Sequence, residues 1–214
     1  MTTLPRAPVL IGAAGHTLFH AGERGPAWRL IGGVLRIDRV AGGARQLMWL
    51  ALPGDLVGAE SLCDQPYQYD ARGLTRVQLE PVHAPEAAAR EAWLRQAVMQ
   101  QQYRCQDMAA LRTDQVTARL MHLLTLLGHD WREAQGRDPA ARARADRIRA
   151  ALPPLRELAE VVGAQHETVC RALARLLPPR SRSAGGGRRT SRASDPLAQV
   201  MGAAVPTGLF GGGA

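Results

Sequence analysis

The sequence predicts an α+β chain, with an N-terminal β-roll or β-sandwich, one long helix, and a pair of short helices before a basic tail. Three observations carry that expectation. Up to Val82, short apolar runs are cut by glycine-containing turns, as in "AWRLIGGVLRIDRVAGG" and "ARQLMWLALPGDLVG", the texture of a small antiparallel β lobe. From Pro85 onward apolar residues recur at steps of three and four, the period of a helix. Later, "LPPLRELAEVVGAQHETVCRALARL" sets Gly163 between two apolar-faced segments, the layout of two helices joined by a turn.

Four zones follow: a β lobe over 1–84, a long helix over 85–112, a helical zone over 113–177 that ends in the helix pair, and a tail over 178–214. In the first zone, "GVLRIDRV" sets Val34, Ile37 and Val40 against Arg36, Asp38 and Arg39, and Gly42-Gly43 supplies a hairpin turn. In the second, Leu94, Val98, Gln101, Cys105 and Met108 trace a narrow seam along one helix face. Such a seam packs either on the chain's own β lobe or on a second subunit.

In the third zone Val116, Leu120, Leu123, Leu124 and Leu127 form a helix that stops at Gly128. Residues 129–151, polar and rich in arginine, read as a loop or frayed helix. Pro153 and Pro154 open the next helix, with Leu155, Leu158, Ala159 and Val162 as its buried face. Val169, Leu173 and Leu176 or Leu177 bury the last one. The tail is dominated by Gly, Ser, Pro and Arg, a composition expected to stay disordered.

The chain carries a net charge of +8 and a pI near 10.8. Every basic residue other than histidine is arginine, which suits bidentate recognition of phosphate and guanine. A GC-rich coding bias accounts for the missing lysines more readily than for the net charge. Three scattered cysteines, Cys63, Cys105 and Cys170, argue against a disulfide framework and for a reducing compartment. They read as small buried or semi-buried residues. No secretory segment opens the chain and no apolar run reaches the roughly 18 residues of a membrane span, so a cytoplasmic protein, nucleoid-associated when bound to DNA and without membrane contact, is expected.

No Ser-His-Asp or paired-carboxylate constellation stands out, which speaks against an enzyme. The clustered His-x-His of a cupin-like metal barrel is missing, His16, His20 and His83 are isolated, and His166 with Cys170 makes only half a zinc site. No metal and no cofactor are predicted.

The second helix of the pair opens with Gln165, His166, Glu167 and Thr168, with Arg171 one turn on, all clear of the apolar stripe. In a helix-turn-helix those positions meet the DNA major groove. Arg171 can donate twice to guanine and Glu167 can accept from cytosine, while Gln165, His166 and Thr168 can reach a base or a phosphate. The same residues also fit the solvated face of an amphipathic helix.

The segment "LRELAEVVGAQHETVCRALARL" resembles the recognition segment of the Crp/Fnr family of bacterial transcription regulators. Leu158-Ala159, Gly163, Glu167-Thr168-Val169, Arg171 and Leu173 match its pattern, while His166 replaces the usual arginine and Cys170 the usual serine. "GHTLFHAGERGPAWRLIGGVLRI", "LPGDLVG" and "GLTRV" are similar to the family's β series, and the likeness runs from about Val9 to Leu177. The resemblance implies a cyclic-nucleotide-binding-like β-roll, a dimerisation helix and a winged helix-turn-helix, although the wing is not evident after Leu177. It further implies a homodimer on near-palindromic double-stranded DNA and RNA polymerase as a possible partner, with action as an activator or as a repressor left open. Glu167 and Arg171 would then read a G-A step.

The resemblance also locates an effector pocket at Gly58, Glu60, Ser61 and Arg72. Ala59 stands where cyclic-AMP-binding members carry the ribose-binding glutamate, and Tyr67 to Tyr69 stand at the phosphate element. The usual phosphate-binding motif is therefore not present, and three scattered cysteines do not supply the four thiolates of an iron-sulfur cluster. The rival expectation is a sensor or partner-binding protein whose DNA-binding domain has degenerated.

Overall fold

A computed structural model describes residues 9–136 and 138–178. The tail and its wing, arm or disorder lie outside the described residues. Eight strands come first: β1 (Leu10–Gly12), β2 (Thr17–Phe19), β3 (Trp28–Gly32), β4 (Leu35–Ala41), β5 (Ala44–Ala51), β6 (Leu56–Val57), β7 (Asp70–Gly73) and β8 (Val77–Pro81). They form two four-stranded sheets, ordered β1-β8-β3-β6 and β2-β7-β4-β5. All pairings are antiparallel.

Gly42 and Gly43, both at positive φ, turn β4 into β5, with Ala41 facing Ala44 across the hairpin. Two left-handed residues in a row match the twist of the flanking strands. Between the sheets lies one core, with Phe19, Leu30, Leu35, Ile37, Val57, Val77 and Leu79 all buried.

Five helices follow: α1 (Ala87–Thr113), α2 (Val116–Leu126), α3 (Pro139–Ala151), α4 (Leu155–Val162) and α5 (His166–Leu176). The interior of α1 holds neither glycine nor proline and is rich in Ala, Gln and Arg, residues that lose little on entering a helix. A second core joins the helices to the roll. Leu111, Leu120, Leu123, Leu124, Leu158, Val161, Val169 and Leu177 pack there with Val34, Leu47, Leu50 and Leu74 of the β lobe.

The structure sharpens two readings and corrects one. Of residues 129–151, expected as a loop or frayed helix, Pro139–Ala151 form a regular capped helix. Asp138 caps it by accepting from the Ala141 amide at 2.8 Å, Pro139 follows at the first turn, and Ala141, Ala145 and Ile148 are buried. Its apolar stripe is mostly alanine, hidden between arginines. The cysteines, expected to be buried or half-buried, are all exposed. Finally, Arg36 and Asp38, which interrupt the apolar residues of β4 in the sequence, are as buried as Val34 and Ile37. Leu35 through Asp38 are buried side by side, because a bulge between Ile37 and Asp38 shifts the strand and α4 reaches its other face.

Candidate nucleic-acid interface and effector cavity

Helix α4 ends because Gly163 adopts φ 60°, ψ 48°, a conformation that glycine reaches without a Cβ penalty. The Gly163 and Ala164 amides turn back onto the carbonyls of Glu160 and Ala159 at 3.3 and 3.0 Å. Two arginines from outside the pair secure this corner. Arg112 of α1 donates to the Glu160 carbonyl at 3.4 Å and Arg119 of α2 to the Val162 carbonyl at 3.0 Å. Cations at a helix C-terminus satisfy its free carbonyls and oppose its dipole. Burial, then the nearby Arg119 and Arg36 charges, lower the Arg112 pKa from its ordinary value.

Past the turn, Gln165 is extended and α5 begins at His166. Val169, Ala172 and Leu176 are buried against the helical core, while Gln165, His166, Glu167 and Arg171 are exposed and Thr168 is half-buried. All five predicted DNA-facing residues therefore lie together on the first turns of one helix. Arg171 is free of any acidic partner among the described residues and its Nε reaches only the Glu167 carbonyl, at 3.4 Å. An open groove beside the first turn is bordered by Arg119, Arg156, Glu160, Gln165, His166 and Thr168, with Arg156 paired to Glu160 at 3.3 Å. Arg112, Arg119 and Arg156 come from three different helices, so no local sequence pattern marks them as neighbours.

A second site lies between the roll and α1. A cavity of about 310 Å³ is lined by Phe19, Trp49, Tyr69, Leu94 and Val98, with Glu60 as its charged member. The Trp49 and Tyr69 rings meet edge to face, 4.9 Å between centroids. Gly58 and Glu60, two of the residues named for an effector pocket, line this cavity. Ser61 instead turns its hydroxyl to the Gly58 carbonyl at 2.8 Å. Arg72, expected as the nearest cation, is not among the lining residues and is paired with Glu157 of α4.

Tyr67, at the predicted phosphate element, has become a core residue. It is 3% exposed, stacks on Phe19 at 4.0 Å and donates its hydroxyl to the Pro26 carbonyl at 2.7 Å. Its ring fills the space over Gly58, where an added Cβ would meet it at 2.5 Å. Burial, with the Glu23 and Glu60 charges, raises its pKa against the opposing Trp28 hydrogen bond.

The cavity is coupled to α1 by polar contacts. Gln100 accepts from the Leu56 amide at 2.7 Å and donates to the Leu56 carbonyl at 2.9 Å. Arg104 pairs with Asp55 at 2.9 Å, and Asp55 accepts from the Leu52 amide at 2.7 Å. Leu94, Val98 and Gln101 of the predicted dimer seam line the cavity, and Val98 is also 62% exposed. Cys105 is exposed, whereas Met108 packs against the chain's own helical core.

No protein-family model and no curated protein matches the chain. Among solved structures, TTHB099 of Thermus thermophilus, a transcriptional regulator of the CRP family, matches with a TM-score of 0.55 and 23% identity, over 78% of this chain and 83% of that one. The chain has the fold of a CRP-family regulator. A second Thermus thermophilus regulator, TTHA1359 of the CRP/FNR family, matches at TM-score 0.49 and 22% identity over 77% and 83% of the two chains. The N-terminal domain of a transcriptional regulator from Streptomyces coelicolor A3(2) matches at TM-score 0.36 and 25% identity over 47% and 77%. Among the described residues, no helix is long and apolar enough to cross a membrane.

Proposed function

We propose that this chain is a sequence-specific DNA-binding transcription regulator that acts as a homodimer, with α5 as the recognition helix. One observation carries the proposal: α5 buries Val169, Ala172 and Leu176 and leaves Gln165, His166, Glu167 and Arg171 exposed at the end of a helix pair whose turn is held by Gly163. Arg171 reads guanine, Glu167 reads the neighbouring base, and Arg156 and Arg119 at the groove meet phosphate. The dimer forms along α1, a 27-residue helix whose exposed apolar side chains include Val98, Met99 and Tyr103.

The cavity behind α1 is the effector site of this reading. Its aromatic and aliphatic walls, with a carboxylate and no arginine among the lining residues, favour an uncharged, largely apolar effector over a cyclic phosphate. The protein is a regulator and not an enzyme, and it works in the cytoplasm.

The test is fluorescence anisotropy with duplexes enriched from a random pool, comparing wild type with Arg171→Ala. The variant is expected to lose about 1–3 kcal/mol of specificity per half-site while retaining its salt-dependent background binding. Equal, unselective binding by both proteins would overturn the proposal in favour of a sensor that does not read DNA.

A further inference from the structure

One charge cluster lies apart from the cavity and joins the roll to the helix pair, touching the groove beside α5 only through Glu160. Arg36 on β4 and Arg72 on β7 are directly opposed cross-strand partners. Like charges in that register repel, and here the sheet presents both to α4. Glu157 and Glu160, one turn apart on α4, answer them. Arg36 Nη1 donates to Glu157 Oε2 at 2.5 Å and to Glu160 Oε2 at 2.9 Å, and Arg72 Nη2 donates to the other Glu157 oxygen. Behind Arg36, Asp38 accepts from Nε and Nη2 at 3.1 and 2.9 Å.

Arg36 is 2% exposed and Asp38 fully buried. A guanidinium held by carboxylates on both edges has one geometry in which all its bonds are made, so the cluster dictates placement more than it adds stability. The corner that follows is stiff, because Arg112 and Arg119 hold the last carbonyls of α4 and the cores of α4 and α5 are continuous. Whatever holds α4 therefore holds α5.

We propose that Arg36 is a positioning residue for the recognition helix: together with Asp38 and Arg72 it docks α4 onto the β-roll through Glu157 and Glu160, and so fixes where α5 stands relative to the roll and α1. In a dimer this docking sets the separation of the two recognition helices, and hence the half-site spacing that is accepted. That consequence rests on the DNA-reading role proposed above. The docking itself does not.

Replacing Arg36 would strand Asp38 in the core, so the informative variant is Glu157→Gln with Glu160→Gln, which leaves the buried Arg36–Asp38 pair intact. Cys63 beside β6 and Cys170 on α5 are both exposed and serve as spin-label sites once Cys105 is replaced by serine. Labelled chains are diluted into unlabelled protein, so that pulsed dipolar spectroscopy reports distances within one chain. Glu91→Gln, which removes the exposed i,i+4 pair with Arg95, is the control.

A single narrow distance distribution is expected for the parent and the control, and a broadened or displaced one for the double variant. On DNA, the double variant is expected to lose tenfold or more in affinity for a palindrome beyond any change in its affinity for a single half-site. Coincident distance distributions in parent and double variant overturn the positioning role, even if the parent selects a palindrome. A broadened distribution with no duplex selected by either protein upholds the docking and refutes the DNA-reading role instead.

Discussion

Glu157 carries an arginine on each carboxylate oxygen, and its protonation decides whether that arrangement survives. Burial alone would push its carboxyl up, but the Arg72 and Arg36 guanidiniums outweigh this and hold it below the ordinary value of 4.5. The ionised form is thus favoured in the folded chain. Its contribution is complete above the unfolded pKa and drains away as pH falls through the lower folded one. Asp55 works in the opposite sense, raised by burial against the pull of Leu52 and Arg104, so a difference measurement is required. The stability gap between wild type and Glu157→Gln in urea denaturation is predicted to shrink as pH is taken from about 6 to about 3. A gap that stays constant would contradict the ion-pair assignment. Burial also disfavours the Arg36 charge, yet Asp38, Glu160 and Glu157 more than compensate and keep it protonated throughout. Gly163 makes a separate prediction at this scale. Its φ of 60° is costly for any residue with a Cβ, so Gly163→Ala should lose roughly 1–2 kcal/mol in chemical denaturation. Of these residues, Gly163 was legible in the sequence as a break between two periodic segments. Arg36 was not, since alternation along a strand marks one face as polar and cannot say that a helix more than a hundred positions away will cover it.

At the scale of elements, α1 and the cavity behind it make the next predictions. Only Leu111 of α1 is buried, and Val98 and Tyr103 stand 62% and 58% exposed. Val98→Asp is predicted to shift sedimentation from dimer to monomer, and an unchanged dimer would mean that subunits do not meet along this face. Cyclic AMP added in excess is predicted to leave Trp49 fluorescence unchanged, because Tyr67 occupies the core and Arg72 is committed to Glu157. A saturable change would show that the cavity accepts a phosphate after all. The seam on α1 was readable from its steps of three and four, but its division was not. Met108 turns towards α2 and the helical core while Leu94 and Val98 face the cavity, a difference set by what packs on each turn. The sequence left α3 between loop and frayed helix because its buried positions are Ala141, Ala145 and Ile148, two of them too small to register as an apolar stripe among arginines.

Across the whole molecule, the order of weak motifs was informative where each alone was not. A β series, a long helix and a helix pair in that succession correspond to a CRP-family fold over 78% of the chain. Long-range assembly was the part that could not be read. The groove beside α5 draws Arg119 and Arg156 from separate helices, and the docking cluster joins positions 36, 72, 157 and 160. With a net charge of +8, affinity for DNA should fall steeply with salt, whereas selectivity, which depends on base contacts, should persist. The most direct test of the central claim is enrichment of random duplexes on the purified full-length protein. Recovery of a near-palindrome, with half-sites about 10–10.5 base pairs apart or a multiple of that spacing, is the predicted result. Recovery of no common sequence, with binding that tracks only salt, would contradict it.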